Sequence, residues 1–181
     1  ILIPARFASS RYPGKPLIDL KGAGGSTKPL IQRSYEAATR VPGIAAVHVA
    51  TDDDRIAQVV CGFGGSALIT SEGCRNGTER CAEALDQLDA DVDVVINFQG
   101  DALLTPAGFV TALVDQLAGS PGTLVATLAM RQRSDAVRKL QAEEAAGRVG
   151  GTSVGVDTDG RALYFSTKLV PHLPGGSLAN A

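Results

Sequence analysis

The feature that most constrains this chain is its alternation of short apolar runs with segments of helical period. Residues 92–98 are nearly continuous in apolar, β-branched side chains, the pattern of a central parallel strand covered on both faces. Residues 1–3, 45–50, 67–70 and 123–130 read as further strands, the first breaking at Pro4. Between them, apolar residues recur at helical spacing: Leu30, Ile31, Tyr35 and Ala38; Ile56, Val59, Val60 and Phe63; Cys81, Leu85 and Leu88; Phe109, Leu113 and Leu117. Asp52, Asp53 and Asp54 are cap and first-turn residues, and Gly64 with Gly65 stops the helix they open. Asn76 with Glu79 has the form of a capping box, and Thr105 precedes Pro106 as a cap precedes a first-turn proline. Residues 134–148 predict a charged, exposed helix, and residues 154–157 and 162–166 a hairpin turning at Thr158, Asp159 and Gly160. Residues 6–28 read as a polar, basic loop, with residues 22–25 as a flexible insertion. The order predicts an α/β protein with a three-layer, open, mostly parallel, doubly wound sheet.

In such a sheet, ligands bind outside the carboxyl ends of the strands. Four segments should therefore converge on one rim: the loop after Ile3, the turn at Thr51 and Asp52, residues 71–78, and the turn at Gln99, Gly100 and Asp101. The first of these, residues 4–16, carries three cations, Arg6, Arg11 and Lys15, among small residues that let backbone N–H groups approach a ligand. A charge pair at ~4 Å is worth about 4 kcal/mol at an effective dielectric of 20, so such a loop suits a polyphosphate. On charge alone a solvated basic loop is equally open; the position after the first strand favours phosphate. The segment is neither a Walker A loop, since Pro16 follows Gly14 and Lys15, nor a dinucleotide fingerprint.

Composition excludes other classes. A net charge of −2 carries no basic excess for nucleic acid, and no segment interleaves basic with aromatic residues. No apolar stretch reaches the ~20 residues that span a bilayer, and no signal peptide is visible. Cys61, Cys74 and Cys81 form no C-x-x-C, so a disulfide framework and a zinc site are both disfavoured. Cys61 and Cys81 read as buried side chains, and the cysteine usage fits a reducing cytoplasm. The native start is expected a few residues upstream of Ile1. His48 reads as structural, and Tyr164 and Phe165 as core.

The motifs Ile3-Pro4-Ala5-Arg6, Ser9-Ser10-Arg11 and Pro13-Gly14-Lys15-Pro16 closely resemble the opening signature of the 3-deoxy-manno-octulosonate (Kdo) cytidylyltransferases. Ala50-Thr51-Asp52, Asn76-Gly77-Thr78-Glu79-Arg80, Asn97-Phe98-Gln99-Gly100-Asp101 and residues 162–166 agree in order and spacing, so the resemblance covers essentially the whole chain. It implies a nucleotide-diphospho-sugar transferase-like fold. It also implies transfer of CMP from CTP to the anomeric hydroxyl of Kdo or a related 2-keto sugar acid, with release of pyrophosphate, for lipopolysaccharide synthesis. Arg6, Lys15 and Asp101 would be catalytic. The nucleotide would be bound by Pro4, Ala5, Arg6, Ser9, Arg11, Lys15, Thr51, Asp52, Asn76, Gly77, Thr78, Arg80, Gln99 and Gly100, and Mg2+ by Asp101. As a bland alternative Asp101 caps the next helix, a role Thr105 already fills; for Asp52, capping serves almost as well. A cytoplasmic homodimer is implied, without nucleic-acid partners or membrane insertion.

The chain departs from the family pattern in several places. Gln99-Gly100-Asp101 continues as Ala102-Leu103 rather than Glu-Pro, residues 23–27 are extra, and residues 151–154 replace a lysine-bearing strand. The chain is expected to be a single nucleotidyltransferase domain over residues 1–181 that lacks the C-terminal portion. In the family that portion supplies sugar-binding residues, a second metal carboxylate and dimer contacts. A sialic-acid-type nucleotidyltransferase and a non-catalytic nucleotide-binding relative are the alternatives.

Overall fold

The computed structural model describes residues 1–8, 12–89, 91–148 and 151–170, which fall into two compact units, Ile1–Ala126 and a second beginning at Thr127. In the first unit β1 (Leu2–Ala5) leads through a one-turn 3₁₀ helix, Lys15–Leu17, into β2 (Asp19–Lys21) and β3 (Thr27–Pro29). Then follow α1 (Leu30–Thr39), β4 (His48–Thr51), α2 (Asp54–Gly62), β5 (Ala67–Ile69), α3 (Gly77–Leu85) and α4 (Ala107–Gly119). The second unit holds α5 (Ser134–Ala145) and the antiparallel hairpin of β6 (Ser153–Val156) and β7 (Ala162–Ser166).

Strands β1, β4 and β5 form a parallel sheet in that order, with Ile3 opposite Val49 and Val49 opposite Ala67. The two-residue alternation of a strand sends successive side chains to opposite faces, and both faces are covered. Ile3, Ala5 and Val49 pack with Ile31 and Ala38 of α1 and with Ile56 and Val60 of α2. Leu2 and Ala50 pack with Cys81 and Ala84 of α3. The three-layer, parallel α/β arrangement expected from the sequence is therefore present. Full burial of a side chain such as Ile3 or Ile56 contributes about 1.5–3 kcal/mol, against at most ~1 kcal/mol for an exposed ion pair. The apolar faces, not the surface charges, hold the sheet.

Several expectations need correction. Pro4 does not end the first strand, which runs to Ala5. Leu2 exchanges bonds with Ile96 and Phe98, so Pro4, two residues on, turns its missing donor to that same side, where the pairing stops at Phe98. Residues 92–98 do not form a full strand: only the bridge between Leu2 and Asn97 is made, and Val92, Val94 and Val95 are partly exposed. Residues 123–130 pair with no strand, and Leu124 and Val125 are exposed. β-branched runs signal burial, but a strand exists only where a neighbour supplies its hydrogen bonds. The basic loop, in contrast, contains the unexpected β2–β3 hairpin. Arg33 clamps it from α1, donating to the carbonyls of Leu20 at 2.7 Å and Ser26 at 2.7 Å.

Asp53 caps α2 and Asn76 caps α3, as their positions predict. Thr105 makes no cap bond, and α4 begins beyond Pro106 without a side-chain cap. α5 buries no residue, in line with the expected exposed helix. Tyr164 and Phe165 are exposed on β7 rather than core, and Cys61 is exposed on α2. Cys81 is buried, and that burial pushes its thiol up to about 11. His48 is structural, its Nδ1 lying 2.7 Å from Ser66 Oγ.

Candidate nucleotide cleft

After β1 the chain moves to β4 and β5 on one side of it, then crosses through α3 and returns as residues 96–98 on the other side. This reversal leaves a crevice beyond the carboxyl end of β1, the place where open α/β sheets take ligands. A cleft of about 290 Å³ lies there, lined by Pro4, Ala5 and Arg6 after β1, Cys74, Arg75, Asn76, Gly77 and Arg80 around the start of α3, and Gln99.

Local chemistry explains its shape. Pro4 sits between two glycines: a Cβ on Gly77 would meet Pro4 Cγ at 3.0 Å, and one on Gly100 would meet the Pro4 carbonyl oxygen at 3.0 Å. Only residues without side chains let the three segments approach this closely. Ser34 of α1, fully buried, donates to the Gly100 carbonyl at 2.7 Å and fixes the turn from the opposite side. Asn76 Oδ1 accepts from the Glu79 N–H at 2.9 Å, orienting the amino end of α3 towards the cleft. The reciprocal bond expected of a capping box shifts by one residue, since Glu79 accepts from the Arg75 N–H.

Arg80 is almost wholly buried and braces the rim from beneath. It donates to Thr70 Oγ1 at 2.5 Å and to Asp52 Oδ2 at 2.7 Å. A buried guanidinium needs such partners to offset the water it has lost. Asp52 thus reaches the cleft through Arg80, and its neighbour Asp53, not Asp52, is the helix cap. Thr51 is buried, its hydroxyl accepting from the Asp53 N–H. Thr78 accepts from Asn97, which in turn accepts from Gln99.

Lys15 and Asp101 meet at 2.5 Å, both about half exposed, on the border of a second depression lined also by Tyr12, Ile18, Leu20, Leu30 and Leu103. Gly14, at φ +70°, closes the basic loop by donating to the Phe7 carbonyl. Phe7 lies under the Arg55 guanidinium, 3.4 Å from its ring centre, and Arg55 holds Asp53 with two bonds. Ser9 and Arg11 lie outside the described residues. Of the remaining expected nucleotide ligands, Pro4, Ala5, Arg6, Asn76, Gly77, Arg80 and Gln99 line the cleft. Lys15 borders the second depression, Gly100 sits behind Pro4, Thr51 and Asp52 lie beneath, and Thr78 is exposed beside Asn97. Cys74 and Arg75 also line the cleft, and sequence reading passed over both.

Among the described residues no group of three or more His, Cys, Asp or Glu side chains is arranged to hold a metal ion. Asp101 is a single accessible carboxylate, followed by Ala102 and Leu103. That suits Mg2+ in its usual role, bound by one or two carboxylates with the remaining oxygens from substrate phosphates and water.

A parallel sheet with a cationic crevice at its topological switch point marks an open α/β protein with its ligand site beyond the carboxyl ends of the strands. The chain belongs to the cytidylyltransferase family, whose model matches residues 1–175. It is 39% identical over 170 residues to the 3-deoxy-manno-octulosonate cytidylyltransferase of Maricaulis maris, covering 94% of this chain and 64% of that protein. It is 41% identical to the mitochondrial enzyme of that name from Arabidopsis thaliana, covering 98% of this chain and 56% of the relative. A solved structure of CMP:2-keto-3-deoxy-manno-octonic acid synthetase complexed with CTP superposes with a TM-score of 0.77 at 39% identity, covering 94% of this chain and 64% of that one. A cytidylyltransferase from Leptospira borgpetersenii, at 21% identity and a TM-score of 0.54 over 67% of this chain and 49% of that one, shares the fold. The chain thus spans 56–64% of the length of the two relatives named first.

Proposed function

We infer that this chain carries the nucleotide site of an enzyme that transfers CMP from CTP to the anomeric hydroxyl of Kdo or a closely related 2-keto sugar acid. The observation that supports this most is the meeting of Pro4, Ala5, Arg6, Asn76, Gly77, Arg80 and Gln99 in one cleft, with Lys15 and Asp101 paired beside the same turn. In the transfer, the sugar oxygen bonds to the α-phosphorus, the bond to the bridging oxygen breaks, pyrophosphate leaves with that electron pair, and the hydroxyl proton passes to solvent. Such a reaction asks the protein for position and charge rather than covalent chemistry.

Arg6 and Lys15, both exposed on the rim, hold the phosphate chain, and Arg11 adds a third cation. Pro4, Gly77 and Gln99 wall the nucleoside. Mg2+, held by Asp101, would neutralise charge that develops on the phosphate oxygens. When triphosphate arrives, Lys15 exchanges the Asp101 carboxylate for phosphate oxygens, which leaves Asp101 open to the ion. The enzyme works in the cytoplasm as a homodimer, both carried over from the family resemblance; a mass measurement in solution tests the second.

The direct test is pyrophosphate release from CTP and Kdo with Mg2+, run against a panel of sugar acids and all four nucleotides. Release only with CTP and a 2-keto sugar acid is expected. No release with any such acid would overturn the reading.

A further inference from the structure

The loop between β5 and α3 supplies Cys74, Arg75 and Asn76 to the cleft, yet it belongs to no helix or strand. Its position is fixed instead by two carboxylates one turn apart on α3. Glu79 accepts from the Arg75 N–H at 2.9 Å, and Asn76 caps the helix. Glu83 gathers the other end: its carboxylate accepts from the Ser71 N–H at 2.6 Å, the Ser71 hydroxyl at 2.8 Å and the Cys74 thiol at 3.1 Å. Residues four apart on a helix share a face, so the two carboxylates act on the same loop. Hydrogen bonds to an ionised acceptor are the stronger kind.

We propose that Glu83 is a positioning residue for nucleotide binding, which touches no substrate and, by tying down Ser71 and Cys74, holds the Cys74-to-Asn76 wall of the cleft in its binding shape. The proposal rests on the assignment of that cleft to the nucleotide. Glu83 is half-buried on α3 and does not line the cleft, so it acts through Cys74 and Ser71. The two partners shift one another consistently: bonds from Cys74 and Ser71 hold the Glu83 carboxyl below the ordinary carboxylate range, and the Glu83 bond raises the Cys74 thiol. A loop so tied is pre-organised, and the ordering that a nucleotide would otherwise impose is already done.

The test compares wild type with Glu83→Ala and Glu83→Gln by two readouts. The first is the alkylation rate of Cys74 by iodoacetamide at neutral pH, read by peptide mass. The second is steady-state kinetics with CTP. Glu83→Ala is expected to alkylate about tenfold faster at Cys74, since a thiol freed of its carboxylate partner is more exposed and more readily ionised. Its KM for CTP should rise about tenfold with kcat within about threefold, the split expected when ground-state binding is lost. Glu83→Gln, which keeps an acceptor oxygen for the Ser71 N–H, should recover most of the CTP affinity. Unchanged alkylation and unchanged KM in Glu83→Ala, or a fall in kcat at constant KM, would overturn the proposal. Should the alanine variant fail to fold, the glutamine variant decides: labelling and KM between wild type and a tenfold change support it, and wild-type values in both overturn it. Should wild type itself not bind CTP, the nucleotide assignment fails and the proposal falls with it, whatever the labelling shows.

Discussion

At the scale of the residue, Lys15 and Asp101 separate function from stability. Their pair is half exposed, so its loss should change unfolding free energy by no more than ~1 kcal/mol. In their proposed role as charge stabilisers of the transfer, each should matter far more: Lys15→Met and Asp101→Asn are expected to lower kcat/KM for CTP by about 10²–10³-fold. Denaturant unfolding beside steady-state kinetics checks both halves of the statement. Gly100→Ala should do the reverse and act on the fold, because the new methyl meets a backbone oxygen at 3.0 Å; overpacking of this kind costs about 1–3 kcal/mol in unfolding experiments. His48 gives a pH signature. Burial lowers its pKa from the ordinary 6.5, so below 6.5 the unfolded chain binds more protons than the folded one. Its contribution to stability is present above 6.5 and drains away as pH falls through the lowered folded value; the denaturation midpoint should drop over that interval, and His48→Gln should flatten the drop. The meeting of the segments that carry Lys15, Asp101, Asn76 and Gln99 was legible in the sequence because the loops after parallel strands share one rim. Glu83 was not, because its role depends on a loop folding back upon a helix, which no local pattern records.

At the scale of the element, the caps of α2 and α3 and the β6–β7 hairpin were readable, whereas the Thr105 cap and the pairing of residues 92–98 and 123–130 were not. Asp53 and Asn76 announce their helices by side-chain chemistry alone, and both make the bond that chemistry predicts. Asn76→Ala should therefore cost about 1 kcal/mol of stability, and more in CTP affinity than a cap elsewhere, since α3 begins in the cleft. Thermal unfolding with and without CTP would expose the difference. Residues 92–98 and 123–130 carry strand composition, but the sheet gives the first a single bridge and the second none. The β2–β3 hairpin shows the opposite case: a glycine-rich polar stretch with little strand character is held by Arg33. Composition reports which residues prefer burial, and long-range bonds decide which of them pair.

At the scale of the whole molecule, the net charge is −2, yet the rim gathers Arg6, Lys15 and Arg75. Attraction between an exposed cationic rim and a triphosphate is screened by salt, with a Debye length of about 10 Å at 0.1 M. The dissociation constant for CTP, measured by calorimetry, should rise severalfold as ionic strength climbs from about 0.02 to 0.2 M, whereas that for cytidine should barely change. The layered α/β plan was legible because two-residue and helical periods alternate so regularly. The crevice was legible only as a rim, since its width depends on Pro4 lodging between Gly77 and Gly100. That contact bears on how such a chain can drift over generations. Positions 4, 77 and 100 are far apart in sequence but share one small volume; a side chain at 77 is viable only after the ring at 4 has yielded space, whereas one at 100 meets a backbone oxygen that no substitution at 4 removes. A library randomising positions 4 and 77 jointly should return compensated pairs that neither position tolerates singly, while position 100 should return glycine in every background.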